Sequence, residues 1–348
     1  MFMFKSAFFS AIALLTISLS ACGGDSTPGN ASNSLLDRVK SRGRVVCGVS
    51  GEIPGFSFVD TDGKYSGLDV DVCRAIAAAL FDQPDAVDYR NLNAKERFTA
   101  VQTREVDILS RNTTLTISRD TSVGMAFGPI VFYDGQGIMV GKNSNIKFLK
   151  DLKDKAICTQ TGTTNEQNLA DKMRQLGITY KSVVFEDINT AFATYQQGRC
   201  SAITSDKSQL ISRRTTLPKP EDHIIFDESL SQEPLAPAVA DGDAKWADAL
   251  KWVVYALIKA EELGITSQNV TQEINSDNPE IKRLLGSEGN LGEGMGLPND
   301  FVVRIIKHVG NYGEIYDRNL GPKTKLNLPR SYNQQWTKGG LLYAPPFR

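Results

Sequence analysis

The sequence predicts an α/β protein built from two units of the same kind, and three observations carry that prediction. Short β-type runs alternate with amphipathic helical segments from Val45 onward, and the same alternation resumes after Asn143. Two extended segments, residues 133–141 and 233–239, interrupt it. Alternation of this sort is the rhythm of a parallel sheet with helices packed on its faces.

In the first unit, residues 45–49 (VVCGV) form a β-type run. The segment after it places Val72, Ala75, Ile76, Ala79 and Leu80 at i, i+3, i+4, i+7 and i+8, one apolar helical face. Asp69 and Asp71 are expected just before this helix, where carboxylates favour its positive end. A helix over residues 95–103 then leads into a short strand at 106–109. In the second unit a strand at 156–159 precedes a helix with Leu169, Met173 and Leu176 on one side and Gly177 as its stop. A strand near 183–185, a helix holding Phe192 and Tyr195, and a strand at 201–204 follow. Late in the chain two amphipathic helices carry Trp246, Leu250, Val253 and Leu257, and Val302, Ile305, Ile306 and Val309, with no strand alternation. The interrupting segments are glycine-spaced (YDGQGIMVG) and proline-bearing (EPLAPAV), which disfavours helix. They read as paired crossovers. Lobe 1 then comprises residues 35–135 and 238–348, and lobe 2, residues 140–233, is an insertion.

The amino terminus reads as an export signal over residues 1–21. Lys5 supplies the positive region, and the apolar run of about 13 residues that follows is too short to span a bilayer. The small-residue box ends in Cys22, the expected acceptor of a diacylglyceryl anchor, and residues 22–34 read as a flexible linker. Removing residues 1–21 takes away one lysine and no acid, so the net charge of −1 barely moves and nucleic acid is not an expected partner. Of the five cysteines, four remain beside Cys22. Outside the cytoplasm an even number invites disulfides, Cys47 with Cys73 and Cys158 with Cys200, one per lobe; buried free thiols are the alternative. No metal site is expected, because there is no C-x-x-C spacing and neither His223 nor His308 lies near a cysteine.

Ligands of open α/β sheets bind beyond the carboxyl ends of the strands, and three turns there are unusual. The first (RNTTLTISR) offers Thr113, Thr114, Thr116, Ser118 and Arg119; the second (QTGTTNE) offers Gly162, Thr163 and Thr164; the third offers Ser205 and Asp206. Arg119 has the planar charged fork that suits a carboxylate, with hydroxyl donors beside it. The amides near Thr163 and Thr164 open a helix, a natural anion site, and Asp206 is a counter-charge for an ammonium. Together they would hold both ends of a zwitterion. Each residue also has a plainer role: Thr163, Thr164 or Asp206 as a helix cap, Arg119 in an ion pair with Asp120 or Asp134.

The stretch GLDVDVCRAIAAAL at residues 67–80 resembles the signature of the polar amino-acid family of bacterial solute-binding proteins that serve ABC importers. The likeness continues through VDILSRNTTLTISRD, QTGTTNEQNLAD and WTKGGLLYAPPFR, and is nearest to the general L-amino-acid-binding branch. The resemblance implies a type II periplasmic-binding-protein fold, two α/β lobes joined by two hinge crossovers, closing over an L-amino acid. It implies Arg119 as carboxylate clamp, Thr114 and Thr116 as the polar pair before it, Thr164 as a donor from lobe 2, and Asp206 as ammonium acceptor. In the turn at residues 50–56 it points to Ile53 and Phe56. It also implies a monomer, lipid-anchored at the periplasm or cell surface, that hands its ligand to permease subunits driven by a separate ATPase, without cofactor.

Two other classes compete with this reading. An enzyme on the same scaffold needs a general acid or base, and the three turns contain no histidine, with Glu52 and Glu166 the nearby glutamates. A sensor presenting ligand to a receptor is the other. Gly141-Lys142 is no P-loop ending, since Gln136 and Asn143 stand where glycine and a hydroxyl residue are required.

Overall fold

Among the described residues, 34–348 of this computed structural model, fourteen strands form three sheets. The export signal expected over residues 1–21, Cys22 and the linker to residue 33 lie outside the described residues. In chain order the strands are β1 (Val45–Val49), β2 (Glu52–Ile53), β3 (Ser57–Val59), β4 (Tyr65–Ser66), β5 (Val87–Asn91), β6 (Ile108–Leu109), β7 (Met125–Phe127), β8 (Phe132–Gly141), β9 (Ala156–Gln160), β10 (Lys181–Phe185), β11 (Ala202–Asp206), β12 (His223–Ile225), β13 (Gln232–Leu235) and β14 (Ala238–Ala240).

One sheet has the order β5-β1-β6-β14-β7, in which β5, β1 and β6 are parallel and β14 runs against them. The second has the order β10-β9-β11-β8-β12, with the first three strands parallel and β8 antiparallel to both its neighbours. Strands β2, β3 and β4 make a small antiparallel sheet. The α/β class expected from alternation is what the chain adopts, and antiparallel members enter where the extended segments join the sheets. Strand β8 takes part in three pairings: its first residues pair with β13, the rest with β11 and β12. After β13 the chain passes Ala236 and Pro237 and enters the first sheet as β14.

Apolar packing follows the sheets. The main core joins residues from Leu35 to Phe132 with residues from Leu235 to Phe347, including the helices Leu68–Phe81, Ala244–Glu262 and Phe301–Val309. Two further cores draw on residues between Ile138 and Leu230. Both disulfides stand within these groups, Cys47–Cys73 tying β1 to the helix Leu68–Phe81 and Cys158–Cys200 tying β9 to the turn before β11.

Two sequence expectations need correction. The helix Leu68–Phe81 starts directly after Gly67, so Asp69 and Asp71 lie within its first turn rather than before it. Gly67 has φ of 127°, and a Cβ there would stand 2.0 Å from the Phe56 carbonyl oxygen, so only glycine fits. The two aspartates then reach off the helix. Asp69 accepts from the Asn112 amide at 3.1 Å, and Asp71 accepts from Arg318 Nε at 2.9 Å and Asn319 Nδ2 at 2.6 Å. The strand read at 201–204 runs on to Asp206, which pairs with Gln136 of β8.

The carboxyl-terminal segment is fastened to the first crossover. Asn333 accepts from the Tyr133 amide at 2.7 Å and donates to the Tyr133 carbonyl at 3.2 Å. On either side, Arg330 pairs with Glu261 and Gln335 donates to the Ile258 carbonyl at 3.0 Å. Replacing Cys158 and Cys200 together by alanine should lower the unfolding free energy by about 4 kcal/mol, the loop-closure value for a bridge of this span. Urea denaturation under non-reducing conditions measures it, and a change below about 1 kcal/mol would deny the bridge that role.

Candidate functional site

The ends of β6, β9 and β11 converge, and each delivers polar side chains to one buried cluster. Beyond β6, Asn112 takes a φ of 26°, in the region that asparagine tolerates better than most residues, which turns the chain toward the second sheet. Its Nδ2 donates to Asp206 at 3.4 Å. Thr114 follows and bridges to Leu235 of β13. Arg119 sits in the short helix Ile117–Thr121, only 7% exposed, with Nη1 on the Thr114 carbonyl at 2.8 Å and its guanidinium 5.0 Å from the Phe98 ring centre. Arg97 lies 4.8 Å from the same ring centre.

From the second sheet, β9 runs into the helix Thr164–Gln175. Asp206 ends β11 and precedes the helix Lys207–Arg214, yet its side chain does not cap that helix. Its carboxylate accepts from Asn165 Nδ2 at 3.0 Å as well as from Asn112. Further contacts join β2 and the residue after it to helices that follow β10 and β11: Asn189 donates to Glu52 Oε1 at 2.8 Å and Ser212 to the Pro54 carbonyl at 2.7 Å. A cavity of about 290 Å³ opens there, lined in part by Ser50, Glu52, Asn93, Gln160 and Asp187.

The expected residues divide into two groups. Arg119, Thr114, Thr164 and Asp206 come together, and Arg119 is in no ion pair with Asp120 or Asp134 among the described residues. Thr163 and Thr116 serve the fold. Thr163 accepts from the Glu166 amide at 3.3 Å and gives its proton to the Gln160 carbonyl at 2.6 Å, while Thr116 accepts from the Arg119 amide at 3.3 Å. Phe56 and Ile53 are both in the main apolar core, Phe56 edge-on to Phe132 with ring centres 5.1 Å apart, so packing accounts for them.

Two members of the cluster escaped the sequence reading. Glu233 of β13, 1% exposed, accepts from Thr114 Oγ1 at 2.6 Å and Thr164 Oγ1 at 2.8 Å with one oxygen, and from Asn168 Nδ2 at 2.8 Å and Ser231 with the other. Arg97 is buried with its Nε unpartnered, its Nη1 donating to Thr113 Oγ1 at 3.2 Å. Prolines masked the first and helical periodicity the second.

Residues 45–272 match the bacterial extracellular solute-binding proteins, family 3. The chain belongs to that family. It is 50% identical over 320 residues to the general L-amino acid-binding periplasmic protein AapJ of Rhizobium johnstonii, spanning 91% of this chain and 94% of that protein. It is 45% identical over 345 residues to the glutamate/glutamine/aspartate/asparagine-binding protein BztA of Rhodobacter capsulatus, spanning 99% of each. An ABC transporter/periplasmic binding protein from Brucella ovis, solved with glutathione bound, superposes with a TM-score of 0.88 at 50% identity, over 90% of this chain and 99% of that one. These relatives are binding proteins rather than enzymes. No described helix of this family 3 protein is long and apolar enough to cross a membrane.

Burial governs the charges at the cluster. Loss of water lowers Arg119 and Arg97 below the ordinary guanidinium value and brings Arg111 down to about 10. Asp206 is raised by burial and then by Glu233, Asp134 by burial and then by Asp206. Asp69 is pushed up to about 6 by burial, against an ordinary value of 3.8. A folded-state pKa above the unfolded one means that Asp69 contributes stability in full below pH 3.8 and loses it as pH rises through about 6. Between pH 7 and pH 5, Asp69→Asn should therefore remove part of the gain in melting temperature shown by the ligand-free wild type. Calorimetry giving identical pH dependence for both proteins would refute the assignment.

Proposed function

We propose that this protein captures L-amino acids between two lobes, residues 35–135 with 238–348 and residues 140–233, outside the cytoplasm, and passes them to an ABC permease driven by a separate ATPase. A lipid on Cys22 holds it to the membrane. One observation carries the reading: a buried guanidinium from the first sheet, Arg119, and a buried carboxylate from the second, Asp206, meet in one cluster with no ion-pair partner of their own among the described residues. Arg119 takes the ligand carboxylate and Asp206 its ammonium. Bringing the two sheets together completes the site, so ligand binding and lobe closure are one event.

The relatives' named ligands agree with recognition of a common head. General L-amino acids, the acidic amino acids and their amides, and glutathione all carry an ammonium and a carboxylate on one carbon. A site that grips this head and leaves the side chain to the adjoining polar cavity accepts a broad set of ligands. Micromolar capture needs about 8 kcal/mol, within reach of a ligand of amino-acid size held by two charge contacts.

Arg119→Ala should weaken L-amino-acid binding by about 2–5 kcal/mol in titration calorimetry, because truncation strands the opposite charge as well. A loss of threefold or less would remove Arg119 from the clamp. Asp206→Asn should weaken amino acids far more than their desamino analogues, and equal losses would deny it the ammonium. Cys22→Ala should move the protein from the membrane fraction to the soluble fraction of its host, as an immunoblot of the two fractions would register.

A further inference from the structure

We infer that Glu233 sets the hydrogen-bond polarity of Thr114 and Thr164, so that both hydroxyls meet the ligand as acceptors and face its ammonium end. The inference rests on the reading that the site takes an α-amino acid. A threonine hydroxyl has one proton and two lone pairs, whereas an ionised carboxylate only accepts. Oε2 of Glu233 receives Thr114 at 2.6 Å and Thr164 at 2.8 Å, so each threonine has given up its only proton. Oε1 is taken by Asn168 at 2.8 Å and by Ser231, which saturates the carboxylate with four donors and fixes its orientation. The two hydroxyl oxygens stand 3.5 Å apart, one beyond β6 and one at the start of the helix after β9, with only lone pairs left to offer.

The consequence reverses what the family likeness implied for the Thr164 hydroxyl, a donor from lobe 2. An anion placed against these hydroxyls would meet lone pairs and the charge of Glu233 behind them; an ammonium would meet two acceptors. Glu233 lies close enough to act on the charges of both Asp206 and Arg119, and Arg119 directs Nη1 to the Thr114 carbonyl. Glu233 thus acts as a positioning residue, working on the ligand through two threonines, and the ligand carboxylate is left to Arg119 and backbone amides.

The isosteric change Glu233→Gln tests this. One half of the amide becomes a donor, so a threonine facing it must accept and turn its proton into the site. Dissociation constants for L-glutamate and for glutarate, which lacks the ammonium, are measured by calorimetry or competition on wild type and variant. L-glutamate should weaken by roughly tenfold or more, the value of a charge-assisted hydrogen bond, while glutarate changes less than about twofold or tightens. Equal weakening of both ligands, or no change in either, overturns the inference and leaves Glu233 a structural residue. Should Glu233→Gln fail to fold by circular dichroism, Thr164→Val and Thr164→Ser carry the test. Valine should reproduce the selective loss and serine restore binding; valine weakening glutarate as much as L-glutamate overturns the inference. A wild-type protein that binds glutarate but no amino acid overturns the underlying reading as well, so the two failures are distinguishable.

Discussion

A charge removed from water must be answered by an opposite charge or by hydrogen bonds, and the junction between the two sheets is built around that constraint. Glu233 is answered in full by neutral donors, three of them distant in the chain and one from the nearby Ser231. Arg119 and Asp206 are answered only in part, by a carbonyl and by two asparagine amides. On the proposed reading, that difference separates scaffold from receptor. A saturated carboxylate holds neighbours still, whereas partly satisfied charges of opposite sign gain from a guest that carries both complements.

The strand ends make this arrangement affordable in backbone terms. Thr114, Thr164 and Asp206 stand at or beyond the end of a strand, where the sheet's own hydrogen bonds have been completed, while Glu233 lies within β13. Asparagines then act as couplers between the sheets. Asn112 links Asp69 of the helix Leu68–Phe81 to Asp206 of the second sheet, and Asn165 and Asn168, on one helix, reach Asp206 and Glu233 respectively. Neutral amides can serve such carboxylates without cancelling their charge, so the acids keep their electrostatic reach toward a ligand.

Charge and placement after a strand were legible in the sequence. Arg119 and Asp206 combine permanent or strong charge with a position after a β-type run, and the cysteine spacing allowed the bridges that form. What sequence alone could not supply were roles fixed by tertiary contact. The helix start at Leu68 depends on Gly67 pressing against the Phe56 carbonyl, which also decides where Asp69 and Asp71 point. Glu233 lies 119 residues from Thr114, at the head of a segment whose prolines spoke of backbone and drew attention from the side chain before them. Arg97 was read only as a turn of helix, because burial of a guanidinium leaves no periodic trace. Ile53 and Phe56 were drawn toward the ligand by the family likeness, whereas the apolar core claims both.

The clasp of Asn333 on the backbone of Tyr133 bears on how small this receptor can be made. The stretch that identifies the family stops at residue 272, yet the clasp, and with it Phe301, Ile305, Tyr312 and Tyr316 of the main core, lies beyond it. A trimmed version ending at that boundary would uncover oily surface and release the backbone of Tyr133 at the start of β8. Engineers grafting a fluorescent reporter onto this scaffold should therefore leave the tail in place and insert elsewhere, since the last residues both seal the main core and grip the start of β8.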